Sequence, residues 1–283
     1  MLMDNLIELR DDLANHTYKH QDYQEFKIND PKPRTIHKAT VRDRILHRAV
    51  YRILYPFFDK KFIVDSYSCR NKKGTHKAIN KFSEFTNKVS KNNTKQCWIL
   101  KCDIKKFFAS IDQNILLEIL EKYIDDKDTI NLLKETVYSF KLGGLPLGNL
   151  TSQLFSNIYL NEFDQFIKHK LKAKYYVRYC DDFVIFSQDK NYLKSLIPII
   201  INYLQNVLGL TLHKDKVFIK TIYSGVDYLG WVNFKDHRIL RSKTKTRMLK
   251  RIKENPKLET INSYLGLLNH GNAYKISLLL NYD

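Results

Sequence analysis

Cysteine is scarce in this chain and forms no pattern where it occurs. The four thiols, Cys69, Cys97, Cys102 and Cys180, include no CxxC pair and no metal-ligand spacing. That excludes a zinc ribbon or a disulfide framework and suits a reducing cytosol. Long apolar runs are missing too: none reaches membrane-spanning length, and the opening MLMDNLIELRDDL is acidic and amphipathic, unlike a signal peptide. Internal repeats and low-complexity linkers are absent. Acidic residues are the remaining shortage. Against 48 Lys and Arg stand only 30 Asp and Glu, a formal charge of +18 over 283 residues, and a polyanion is the natural partner for such a surface. The chain is long enough to bury a sizeable core as one large domain or a few lobes. It reads as a soluble, cytoplasmic protein with no membrane role.

The periodicity is mixed. After a short amphipathic helix, QEFKINDPKPRTIHKAT is extended, since prolines at 31 and 33 oppose helix. VRDRILHRAVYRILYPFF carries helical spacing and a basic face, with an end expected near Pro56. CWILKCDIKKFF is β-prone, and helical patterns follow around NILLEILEKYI and TINLLKETVYSF. The glycines of KLGGLPLGNL break the pattern before a long helix, TSQLFSNIYLNEFDQFIKHKL. YYVRY and DFVIFS then form a hairpin with Cys180 and Asp181 at its tip. KNYLKSLIPIIINYLQNVLG is helical, LTLHKDKVFIKTI and VDYLGWVNF are β-prone, and the basic tail from residue 238 ends in a helical stretch, TINSYLGLLNHGNAYKISLLL. Irregular alternation with hairpins argues for an α+β fold rather than a doubly wound sheet.

The hairpin tip, RYCDDFVIF, sets two adjacent carboxylates in an otherwise apolar strand pair. Like charges repel and desolvation penalises each one, so a cation is expected beside Asp181 and Asp182. Asp103 closes a second apolar β-prone run, and a neighbouring strand could deliver it to the same sheet edge. Three hard oxygen donors with open positions suit magnesium, and two such ions stabilise the attacking and leaving oxygens of phosphoryl transfer. A solvated acidic turn is the alternative for a DD pair on its own.

At these residues the chain resembles a family. YCDD at 179–182 is similar to the YxDD box of reverse transcriptases, and the surrounding blocks follow the order of that family over roughly residues 30–280. KPRTIHKATVRDRILHRAVYRIL and SYSCRNKKGTHKA resemble the first two fingers blocks, and ILKCDIKKFFASID the palm block with the first metal-binding aspartate. GLPLGNLTSQLFSNIYL resembles the template and nucleotide block, LTLHKDKVFI the block with a late lysine, and VDYLGW the primer grip. The resemblance implies a right-hand polymerase: fingers over 1–97, palm over 98–235 with fingers–palm helices in 111–140, and a short basic helical thumb over 236–283.

It further implies two Mg2+ ions, with Mn2+ able to substitute, held by Asp103, Asp181, Asp182 and the Ile104 carbonyl. Phe108 would be the steric gate against a ribonucleotide 2′-OH. Phe107, Leu147, Gly148 and Gln153 would complete the nucleotide pocket. Arg34 and Arg44 would hold the triphosphate through planar guanidinium forks, with Arg70 a weaker candidate. A solvated helix face remains the alternative for Arg44. Lys216 would protonate departing pyrophosphate, although Val217 follows it where a small hydroxylated residue is usual. Tyr228, Leu229, Gly230 and Trp231 would grip the primer, and without the family Trp231 is a core tryptophan.

Within the family, Leu147-Gly148-Asn149-Leu150-Thr151-Ser152-Gln153 replaces the commoner QGxxxSP and is similar to the enzymes of diversity-generating retroelements. Gly148 would let backbone approach the incoming nucleotide. This narrower resemblance implies a bacterial or phage-encoded enzyme that copies a template RNA into cDNA from dNTPs, holds an RNA/cDNA duplex, and errs at template adenine. It also implies a basic, oligomeric, helical accessory variability protein as partner. NAxxH and VTG, expected of retron enzymes, are absent, as is an endonuclease domain, and the short thumb leaves no room for a maturase domain. Defence-type and group II intron-like reverse transcriptases remain alternatives, as does a non-catalytic RNA-binding scaffold.

Overall fold

The computed structural model describes residues 2–29 and 32–278. Pro31, one of the two prolines expected to keep its stretch extended, lies outside them, as do the last two positions of the C-terminal helical stretch. Helix α1 (Leu2–Ala14) leads into a hairpin of β1 (Gln24–Ile28) and β2 (Arg34–Lys38), then α2 (Val41–Asp59) and α3 (Thr75–Val89). Strand β3 (Trp98–Asp103) is followed by the single turn α4 (Phe107–Ser110), α5 (Gln113–Glu121), α6 (Lys127–Tyr138) and α7 (Leu150–Gln165). Next come β4 (Tyr176–Tyr179), β5 (Asp182–Ser187), α8 (Lys190–Leu208) and β6 (Phe218–Thr221). A small meander, β7 (Val226–Tyr228), β8 (Trp231–Asn233) and β9 (Arg238–Leu240), precedes α9 (Ser242–Glu254), α10 (Leu258–Leu268) and α11 (Tyr274–Leu278). No helix among the described residues is long and apolar enough to cross a membrane.

Side-chain caps fix several helix starts. Asp112 accepts from the Asn114 and Ile115 amides, Asp126 from Thr129, and Asp189 from Asn191 and Tyr192. Three boundaries and one whole helix differ from the sequence reading. Helix α2 passes through Pro56 to Asp59, because a proline in the exposed last turn forgoes one backbone bond at a place where water can satisfy the freed carbonyl. The stretch after Leu210 makes a 3-10 turn, Lys214–Lys216, before it becomes a strand. The C-terminal helical stretch breaks after Leu268, since Gly271 packs so closely on Trp231 that a Cβ would lie 2.1 Å from the indole. The whole of α3 was missed between the fingers block and the first palm strand, although its apolar residues Ala78, Ile79, Phe82, Phe85 and Val89 are buried at helical spacing.

The central sheet has strand order β4-β5-β3-β6, antiparallel throughout. Alternation sends Leu100, Cys102, Phe183 and Ile185 toward α7 and α8, into the main core. Ile99, Val177, Val184 and Phe186 face the other way, onto α3 and Tyr228. A third cluster joins Trp231 and Leu240 to Met248 and Leu268 of the C-terminal helices.

One buried charge ties these layers together. Arg178 and Asp164 are both fully buried. Arg178 Nε donates to Asp164 Oδ1 at 2.8 Å and Nη2 to Oδ2 at 2.6 Å. The remaining N–H groups reach Ser66 Oγ, the Cys180 carbonyl and Asn157 Oδ1 at 3.1, 3.2 and 3.4 Å. Tyr176 also donates to Asp164, at 2.7 Å. Helix α7, the 65–68 segment and the β4–β5 turn are therefore pinned by one guanidinium.

A second buried polar group joins the segment after α1 to α2. Asp43 accepts from Tyr18 at 2.7 Å and from Thr40 at 2.6 Å, and His20 Nε2 lies 3.2 Å from His47 Nε2. Burial, with His20 adding to it, lowers His47 from 6.5 to about 4, while Asp43 opposes the shift.

Two outcomes are expected from these groups. Arg178→Met should lose about 3–5 kcal/mol in urea unfolding because Asp164 is left buried and unpaired, whereas Arg178→Met/Asp164→Leu should regain most of it. For His47 the folded value lies below the unfolded one, so stability present above pH 6.5 should fall as pH drops toward 4. The loss is on the order of 3 kcal/mol, and His47→Gln should flatten that part of a melting-temperature profile against pH.

Candidate active site

β3 and β5 pair so that Asp103 stands directly opposite Asp182. Two carboxylates across a strand pair repel, and cations on both sides relieve them. Lys101 precedes Asp103 by two residues and so shares its face of the sheet. Its Nζ lies 3.0 Å from Asp182 Oδ1, an ion pair rather than a well-aligned hydrogen bond. Lys216, on the 3-10 turn, donates to Asp103 Oδ1 at 2.7 Å. Asp181 occupies the β4–β5 turn, where its carbonyl accepts from the Ile104 amide at 3.2 Å. Burial raises the Asp181 carboxyl above its ordinary value, with Asp103 adding to the rise. Burial likewise pushes Asp182 up to about 6, against the pull of Lys101 and with the help of Asp103 and Asp181. This edge is short of positive charge. Among the described residues no three His, Cys, Asp or Glu side chains are gathered as a ready cage; Asp103 and Asp182 each hold a lysine instead.

A cleft of about 620 Å3 opens over the edge. Of the residues expected around a nucleotide, Arg34, Phe107, Phe108, Leu147, Gly148 and Gln153 line it, with Asp181 and Asp182 at its floor. Arg44 does not. It shares a separate surface hollow on α2 with Ile45, Arg48 and Arg52. Arg70 is taken up by the fold, donating to Asp59 Oδ1 at 2.7 Å and to the Ile63 carbonyl at 2.6 Å. Among the four primer-grip residues Leu229 reaches the cleft. Tyr228 is fully buried and stacked on Phe82 at 5.4 Å, Trp231 is the largest buried side chain of the third cluster, and Gly230 turns the β7–β8 hairpin at φ +88°.

Gly148 lines the cleft and also meets a packing constraint of the fold itself. At φ +111° a Cβ would lie 2.7 Å from Ile36 Cγ2. The neighbouring backbone is held by β2, with the His37 amide donating to the Leu147 carbonyl and Asn149 Nδ2 to the His37 carbonyl, both at 2.9 Å. The missing side chain lets the β1–β2 hairpin dock on the 147–149 loop.

Three residues that sequence reasoning left out of the site, Cys69, Lys106 and Cys180, share a backbone signature with the expected Leu229. Cys69, Lys106, Cys180 and Leu229 all have φ between +47° and +56°, and all four line the cleft. Left-handed backbone at a non-glycine residue is unfavourable by about 1–3 kcal/mol and gathers at functional sites. Nothing in their side chains announces it. Lys101 could have been found from the two-residue period of β3, which puts it on the face of Asp103.

Comparison with known proteins identifies the family and the fold. A family model described as reverse transcriptase (RNA-dependent DNA polymerase) matches residues 26–232. The chain is 24% identical over 280 residues to protein YkfC of Escherichia coli K12, covering 84% of this chain and 71% of that protein. It is 27% identical over 158 residues to the group II intron-encoded protein LtrA of Lactococcus lactis, covering 53% of this chain and 25% of LtrA. Telomerase from Candida tropicalis superimposes with a TM-score of 0.58 at 15% identity, over 80% of this chain and 49% of the telomerase chain. The Candida albicans enzyme in complex with a telomeric RNA fragment gives 0.58 at 12%, over 79% and 47%. The chain thus spans about half of these telomerases and a quarter of LtrA, and likeness at such low identity speaks to the fold alone. With a mixed α+β polymerase fold, three aspartates at one sheet edge and a family match across most of its length, the chain belongs to the reverse transcriptases.

Proposed function

We propose that this protein copies a template RNA into cDNA by two-metal phosphoryl transfer, with residues 1–97 as fingers, 98–235 as palm and 236–283 as a short basic thumb. The observation that carries the reading is the register of β3 and β5, which sets Asp103 against Asp182 beside the Asp181 turn under a cleft lined by Phe108. The donor set fits Mg2+, with Mn2+ as substitute: three carboxylates and the Ile104 carbonyl are hard oxygen ligands, and burial leaves Asp181 and Asp182 in want of a cation. When bound, such ions help ionise the primer hydroxyl and balance charge on the departing pyrophosphate.

The chain's own residues do the rest. Arg34 offers a guanidinium to triphosphate oxygens at the rim. Phe108 fills the space beside C2′. Lys216, 2.7 Å from Asp103, is within reach of the reacting phosphates once that contact loosens and can hand a proton to pyrophosphate. Lys101 holds Asp182 in place across the strand pair. Leu229 supports the primer end.

Diversification is the finer reading, supported by Leu147 in place of glutamine and by Ser152-Gln153 in place of SP. An apolar Leu147 offers the nucleotide shape without a polar constraint, which lets mispairs persist. The adenine preference and the helical, basic accessory protein rest on the resemblance to diversity-generating enzymes. The likeness to LtrA favours a second reading, a structured intron-type RNA as template.

In primer extension on RNA with Mg2+, Asp181→Asn should abolish synthesis while RNA binding stays near wild type, because lysines and arginines elsewhere carry the binding. Phe108→Ala should admit ribonucleotides, and wild-type exclusion in that variant would remove the gate. Sequencing cDNA made with and without the accessory protein should show errors concentrated at template adenines. Leu147→Gln should lower that error rate, and uniformly accurate copying at adenines would move the assignment to the intron-type or defence reading.

A further inference from the structure

The ring of Phe108 can measure a sugar only if its backbone is held, and the structure shows what holds it. The Phe108 carbonyl accepts from the Leu145 amide at 2.7 Å. Gly144, at φ +70°, presses so closely that a Cβ there would lie 2.4 Å from that carbonyl oxygen and 2.7 Å from Ala109 Cα. The 144–145 backbone is in turn held from behind. Gln113 Nε2 lies 3.1, 2.9 and 3.0 Å from the carbonyls of Val137, Phe140 and Gly144. One amide therefore gathers the end of α6 and the loop after it onto the start of α5. The same strap continues to Leu147 and Asn149, where β2 is bonded. Phe107 beside the gate is buried, whereas Phe108 is half-buried and faces the cleft.

Gln113 itself does not line the cleft. Its side chain touches loop carbonyls, and its influence on the cleft passes through Gly144 and Leu145 to Phe108. Steric exclusion is steep in distance, so a shift of the Phe108 backbone by a fraction of an ångström alters the fit to a 2′-hydroxyl more than the fit to a 2′-hydrogen.

We propose that Gln113 is a positioning residue for sugar selection, setting through the 144–145 strap how far the Phe108 ring projects into the nucleotide cleft. The inference rests on Phe108 being the gate. It adds that ribonucleotide exclusion depends on a side chain that never meets the nucleotide.

The test is the ratio of kcat/KM for dNTP over rNTP in primer extension on RNA, measured for the wild type, Gln113→Met, Phe108→Ala and the double variant. Gln113→Met keeps the length of the side chain and removes its donors. It should lower discrimination about tenfold while dNTP use changes less than about threefold, and it should add nothing further in the Phe108→Ala background. Discrimination that collapses in Phe108→Ala but is unchanged in Gln113→Met would overturn the inference and leave the gate standing. Equal losses for both sugars would also overturn it, by reducing Gln113 to a stabilising residue. Unchanged discrimination in Phe108→Ala would instead remove the gate on which the inference rests. Thermal melting accompanies each variant. If Gln113→Met does not fold, Gln113→Asn carries the same expectation, since its shorter amide keeps its donors but cannot span all three carbonyls.

Discussion

A guanidinium buried without water has to engage all of its donors, and Arg178 does so. Each ion removed from water carries a penalty of several kcal/mol, recovered only when geometry is close to ideal and no N–H is left over. Five N–H groups meet Asp164, Ser66, Asn157 and the Cys180 carbonyl. Since the acceptors come from α7, from the segment before Cys69 and from the β4–β5 turn, the cleft walls cannot drift apart without stranding a charge. The Asp181–Asp182 turn owes its place to this constraint as much as to the strands beside it.

Strain accumulates where that frame leaves room for it. Four non-glycine residues in left-handed backbone, together with Gly148 at φ +111°, surround one cleft. Cys180 and Leu229 open the two-residue loops of the β4–β5 and β7–β8 hairpins, where the twist of the strands calls for positive φ. The packed layers on both sides of the sheet supply the stability that holds such turns.

Charge follows the same logic at two scales. Over the whole chain, 48 basic residues against 30 acidic ones make a field suited to a phosphate backbone. At the sheet edge the sign reverses locally, and Lys101 and Lys216 stand against Asp182 and Asp103. Buried carboxylates inside a basic protein need such neighbours, because without nearby cations burial would drive them toward protonation.

Much of this was legible in the chain itself. Apolar β-prone runs at WILKCD and DFVIFS, each ending in an aspartate, and a turn at Cys180 and Asp181 pointed to strands that could meet at one sheet edge, while the pairing of β3 with β5 and its register came from the fold. Block order determined the family, and the glycines of 143–148 marked a loop. What could not be read was which cleft residues face the cleft. Tyr228 and Trp231 lie beside Leu229 in sequence, yet alternation and the closeness of Gly271 send them into the core. Arg44 and Arg34 carry the same group, and helical phase on α2 separates one from the site that the other borders. Gly148 signalled a close approach without saying to what, and only the docked hairpin identified Ile36 as its neighbour. Local pattern specifies a strand, a helix or a turn because neighbouring residues impose it. Which surfaces meet depends on residues more than a hundred positions apart, such as Arg178 and Ser66 or Lys216 and Asp103, and those meetings exist only once the chain has folded.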